Sequence, residues 1–151
     1  MDATFNRRAA LPLLAAGFGL LPAIARAESK PHRLALQISD NSADKMNAVL
    51  NVAANVTRYY GDKGEEIEVQ VVAFNAGLHM LRDDTSPVKE RMASFRKSMP
   101  NVEFKACANT RAGMERAEGH PIPLQPGIPT VDSGVTHLMD LSEKGWTVIR
   151  P

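Results

Sequence analysis

"IEVQVVAF", Ile67 to Phe74, decides how this chain folds. Its first four residues alternate apolar and polar, and its last four are apolar throughout. That is the pattern of a central parallel strand, covered on both faces. Turn signals bound it, "DKGEE" (Asp62 to Glu66) before and "NAG" (Asn75 to Gly77) after. Upstream, Met46, Val49, Leu50, Ala53, Val56 and Tyr60 recur at helical spacing and stop at Gly61. Before that helix, "RLALQIS" (Arg33 to Ser39) reads as a buried strand, closed by the turn-and-cap cluster Asp40, Asn41 and Ser42.

Downstream the alternation continues. Leu78 to Leu81 is a short apolar turn, "RDDT" (Arg82 to Thr85) a polar loop, and Ser86-Pro87 a cap followed by proline at the first helical position. The helix it opens faces Val88, Met92 and Phe95 inward and closes at Met99-Pro100. "VEFKAC" (Val102 to Cys107) is a third strand and "NTRAGMERAEG" (Asn109 to Gly119) a glycine-weakened helix. The proline-rich "HPIPLQPGIP" (His120 to Pro129) is extended loop. "TVDSG" ends a fourth short strand. Val135, Leu138, Met139 and Leu141 mark a last helix between Ser133 and Gly145, and "WTVI" (Trp146 to Ile149) is a final strand. Strands alternating with helices predict an α/β fold, a three-layer α/β/α sandwich around a mainly parallel five-stranded sheet.

The N-terminus reads as an address. Arg7 and Arg8 precede the uncharged apolar run Ala9 to Ile24, and "ARA" (Ala25 to Ala27) offers small residues where a signal peptidase cuts. The run is short and broken by two prolines and two glycines, which suits a signal peptide better than a membrane span. "NRRAAL" carries the arginine pair of a Tat signal, with Ala10 where a bulky apolar residue is usual. The expectation is a signal peptide over 1–27, a single domain over 28–151, and a periplasmic protein with no membrane attachment after processing. Loss of Arg7, Arg8, Arg26 and Asp2 takes the formal charge from +1 to −1. Dispersed, nearly balanced charge gives no footprint for nucleic acid. Export favours disulfides, yet the chain has a single cysteine, so Cys107 stands unpaired.

In an open α/β sheet, ligands bind beyond the carboxyl ends of the strands. Four small polar segments converge there: Asp40-Asn41-Ser42, Asn75-Ala76-Gly77, Cys107-Ala108-Asn109-Thr110 and Asp132-Ser133-Gly134. A thiol at a helix start meets free N–H groups and the positive end of the helix dipole, and both favour thiolate. Arg111 would add a cation if it turned back. Such settings bring a thiol pKa from about 8.5 into a range of about 3.5–7.5. A buried, inert cysteine at the strand end is the competing reading. Asn109 and Thr110 would cap the helix behind Cys107, and Asn75 and Ser42 would line the site. His79, Met80, Cys107, Met114 and His120 are a weaker set of soft copper ligands, with no HxH or HxxxH spacing. No Gly-rich phosphate loop follows the first strand, and neither Ser42 nor Ser133 sits in a nucleophile elbow that could use His137. No cofactor is implied.

"VVAFNAGLHMLRDD", "FKACANT" and "VDSGVTHLMDLSEKGWTVIRP" together resemble the DsrE/DsrF-like sulfur-relay family, most closely its exported single-domain members. The resemblance spans Arg33 to Pro151. It implies that Cys107 carries sulfur as a persulfide and that subunits assemble into a trimer or hexamer. The expected function is therefore a sulfur carrier or thiol-exchange protein, passing sulfur to a partner protein or small thiol. The alternative is a non-catalytic oligomer that binds a small ligand or copper at the same edge.

Overall fold

The computed structural model describes residues 30–151. The signal-peptide and Tat expectations lie outside the described residues. The chain runs β1 (His32–Ile38), α1 (Ala43–Asp62), β2 (Ile67–Ala73), a 3-10 helix (Asn75–Leu81), α2 (Lys89–Ser98), β3 (Val102–Cys107), α3 (Ala108–Glu118), β4 (Thr130–Val131), α4 (Gly134–Glu143) and β5 (Thr147–Ile149). The five strands form one sheet in the order β4-β3-β2-β1-β5, and every neighbouring pair is parallel.

That order dictates the layers. Parallel crossovers are right-handed, so successive steps in one direction put their helices on one face. β1 to β4 march in one direction, which stacks α1, α2 and α3 together. The step from β4 back across the sheet to β5 reverses direction and sends α4 to the other face. Packing agrees. On the first face Leu34, Leu36, Val69, Val71 and Phe104 meet Met46, Val49 and Leu50 of α1 and Met92 and Phe95 of α2. On the second, Ala35 and Val72 meet Leu138 and Leu141 of α4, flanked by Phe74 and Trp146. Each fully buried aliphatic side chain contributes about 1.5–3 kcal/mol.

The two faces explain the mixed pattern of β2. Its first-face residues Ile67, Val69, Val71 and Ala73 are all buried. On the second face Val72 is buried under α4, whereas Glu68 is exposed and Gln70 is half-buried with its amide oxygen against His137 Nε2 at 2.8 Å. One ten-residue helix covers only part of that face, so the strand turns polar where cover ends.

Three local expectations need correction. Ser86-Pro87 does not start α2. The helix begins at Lys89 after Val88, which makes no side-chain cap, and Ser86 Oγ instead donates to the Met80 carbonyl at 2.7 Å. Of the four apolar positions that mark α4, Leu138 and Leu141 face inward, while Val135 and Met139 are exposed. "RDDT" is polar but not all surface: Arg82 is 2% exposed, gripped by Asp84 and Glu118 with N–O distances of 2.6–2.9 Å. The proline-rich arm is extended, as expected, but packed. Ile122 and Gln125 are buried, Leu124 bridges Arg82, and Gln125 Nε2 donates to the Met80 carbonyl at 3.0 Å.

Candidate functional site

Adjacent strands whose following helices leave to opposite faces open a crevice at their carboxyl ends. Here those strands are β3, followed by α3 on the first face, and β4, followed by α4 on the second. Cys107 is the last residue of β3 and Ser133-Gly134 lie just past β4. Among the described strands, the thiol therefore stands where the topology parts the chain.

Cys107 is itself the N-cap of α3, with extended backbone, and its Sγ accepts from the Thr110 N–H at 3.4 Å. Asn109 and Thr110 thus occupy the first turn rather than the cap. Thr110 still matters to the site: its Oγ1 accepts from the Asn75 N–H at 3.0 Å, which ties the 3-10 helix to α3. Asn75 has φ 48°, a left-handed conformation that asparagine tolerates better than most residues. Asn109 is exposed, and its N–H donates to the Asp132 carbonyl at 3.2 Å, which closes the β3–β4 crevice from the side.

Gly134 completes the site. A Cβ there would lie 3.0 Å from Phe74 Cβ, so glycine lets the start of α4 approach the sheet. Burial pushes the Cys107 thiol pKa up, but the Thr110 hydroxyl and the N–H groups of Gly134, Thr110 and Asn109 outweigh it, and the net shift is downward. Helix starts of two helices, α3 and α4, thus converge on one sulfur. Cys107 is only 4% exposed, so this stabilised sulfur sits just beneath the surface.

The other candidates lie elsewhere. Ser42 Oγ caps α1 by accepting from Lys45 N–H at 3.4 Å, at the end of β1, which β2 separates from β3. It belongs to the same sheet edge but to a different strand end. Arg111 does not turn back toward the thiol; its Nε donates to the Ile122 carbonyl at 3.0 Å and pairs with Glu115. Of the soft-ligand set, Met80 is fully buried in the core, and Met114 packs on the core beside Arg82. His79 Nδ1 meets Thr85 Oγ1 at 2.7 Å, and His120 Nδ1 meets the Pro121 carbonyl at 3.0 Å. Among the described residues, no three His, Cys, Asp or Glu side chains gather as a metal site. Sequence reading placed Gly134 in a segment at this edge but did not show its close approach to Phe74 beside the thiol. Its signal was the small residue one step past the Ser133 cap, where a strand end meets a helix start.

No family model and no curated protein matches the chain. Among solved structures it is similar to the protein of unknown function MTH1491 from Methanobacterium thermoautotrophicum, with 30% sequence identity and a TM-score of 0.62. The match covers 80% of this chain and 99% of that one. The two chains belong to one family. The likeness carries the fold across and brings no activity with it, so function rests on the site.

Proposed function

We propose that this protein is a sulfur carrier or thiol-exchange protein of the DsrE/DsrF-like type, working in the periplasm through Cys107. The observation that supports the reading most is the capping geometry: one sulfur at the β3–β4 crevice, accepting from the first turn of α3 and facing the start of α4.

The chemistry follows from a stabilised thiolate. Cys107 thiolate attacks the outer sulfur of a donor persulfide, R–S–SH. The new S–S bond forms as the donor's own S–S bond breaks, leaving Cys107 as a persulfide and the donor as thiolate. An acceptor thiolate then takes the outer sulfur and releases the Cys107 thiolate. No net oxidation occurs in either step. A lowered thiol pKa raises the ionised fraction in the first step and improves the leaving group in the second. Mixed-disulfide exchange uses the same two properties, with a disulfide in place of the persulfide.

Burial sets the access route. Cys107 is 4% exposed as a residue, so attack on its sulfur calls for a neighbouring segment, such as the Ser133–Gly134 step, to move aside. A docked partner is one way to drive that motion. We further propose that the chain works as a homo-oligomer, a trimer or hexamer. The exposed apolar side chains Val135 and Met139 on α4 and Val148 and Ile149 on β5 are the surface it would cover. Intact mass of protein purified without reductant, before and after thiol treatment, tests the reading. A removable sulfur or thiol adduct that is absent from Cys107→Ser supports it.

A further inference from the structure

We propose that the outer edge of β3 receives an extended, acidic segment of a partner protein, added to the sheet as a further strand. β4 pairs only with Ala106 and Cys107, so the preceding four residues of β3 have no neighbour on that side. Two hydrogen bonds fix the backbone direction along the strand. Val69 N–H donates to the Asn101 carbonyl, which turns the groups of Asn101, Glu103 and Lys105 toward β2. Ala106 N–H donates outward to the Pro129 carbonyl at 3.0 Å. Alternation then points Val102 and Phe104 outward as well. Val102 N–H is taken by the Met99 carbonyl at 3.1 Å. The N–H and C=O of Phe104 have no protein partner among the described residues, although Phe104 is only 3% exposed.

Backbone N–H and C=O groups of so buried a residue are nearly always paired, with protein or with ordered water. Those of Phe104 face a groove of about 240 Å³ lined by Arg96, Pro100, Phe104, Gly127, Ile128 and Pro129. The groove lies in line with β4, between Pro100 and the turn at Pro129. A second strand is the partner that satisfies a donor and an acceptor from one residue of a strand edge, and strand addition is a common mode of peptide recognition. Charge selects the kind of strand. Arg96 donates Nη1 to the Pro126 carbonyl at 2.8 Å and has no carboxylate among the described residues. Its Nη2 rests on Gly127, where a Cβ would stand 3.0 Å away. Lys105 and Glu103, both in the same lining, pair with each other at 2.8 Å and offset each other's charge, which leaves Arg96 as the unbalanced charge of the groove. An acidic side chain on the incoming strand meets the unneutralised guanidinium, whereas the edge of a second copy of this chain brings another Arg96.

Amide hydrogen exchange in the ¹⁵N-labelled protein tests this. The probe is a set of capped hexapeptides alternating Glu with Val, Thr or Ile, together with versions N-methylated at every second residue. In the free protein the Phe104 amide should exchange fast while that of Lys105 is protected. Saturating peptide should slow Phe104 roughly tenfold, and Arg96→Glu should weaken binding roughly tenfold. Peptides N-methylated on the pairing edge should not bind. The proposal is overturned if Phe104 is as protected as Lys105 without peptide, if its protection rises with protein concentration alone, or if no peptide changes it.

Discussion

At Cys107 two effects oppose each other, and the sign of their sum is the first testable quantity. Burial favours the neutral thiol, and the Thr110 hydroxyl with the N–H groups of Gly134, Thr110 and Asn109 favours the anion. The anion wins, so the rate of iodoacetamide labelling should rise with pH through a midpoint below the ordinary thiol value of about 8.5. A midpoint at or above that value would show that burial dominates. Thr110→Val keeps the shape but removes the hydroxyl, and with it the anchor for the Asn75 N–H. Its labelling midpoint should rise relative to the parent protein. Gly134→Ala acts from the other side: the new methyl presses on Phe74 and pushes back the start of α4. It should raise the midpoint too and cost about 1–2 kcal/mol in urea denaturation. An unchanged midpoint in both variants would remove the two-helix account of the site.

Among the elements, the sharpest fit is where the 3-10 helix meets the end of β1. A Cβ on Gly77 would lie 2.2 Å from the Ile38 carbonyl oxygen, and backbone cannot give way as a side-chain tip does. Gly77→Ala should therefore destabilise the fold by about 1–3 kcal/mol, measured as a lower urea midpoint. A midpoint equal to that of the parent protein would mean that this packing is looser than described. The strands and α1 were legible because their signals are local: alternation in "IEVQ", helical spacing from Met46 to Tyr60, and a polar cap at Ser42. The placement of Cys107 at a strand end was legible for the same reason. What sequence hid is set by distant partners. Arg82 reads as a surface residue in "RDDT"; its burial becomes tolerable because Glu118, across the fold on α3, joins the local Asp84 in pairing with it. Val135 and Met139 share apolar character with Leu138 and Leu141, yet a single helix on a half-covered face can bury only one stripe. The role of Gly134 depends on β4 lying beside β3, which strand alternation alone does not fix.

Across the whole molecule, the Arg82 cluster joins the 3-10 helix, α3 and the proline-rich arm. Hydrogen bonding to Arg82 holds the Asp84 carboxyl pKa down, to about 2, and lowers that of Glu118 as well. A carboxylate with a depressed folded-state pKa stabilises the fold above its unfolded value and loses that contribution as pH falls through the folded one. Thermal stability should therefore decline from about pH 4 down to about pH 2, and the decline should be shallower in Arg82→Met. Equal slopes would show that the cluster does not govern acid stability. Assembly is a second property at this scale. Light scattering at micromolar concentration should return an oligomer, and Val135→Lys with Met139→Lys should shift it toward monomer; a parent protein that is already monomeric contradicts the assembly proposal. The central claim is that the chain carries sulfur on Cys107, and the most direct measurement is intact mass after incubation with glutathione persulfide. The account predicts a gain of one sulfur atom, removed by excess thiol and absent from Cys107→Ser; an unchanged mass, or the same gain in the serine variant, would contradict it.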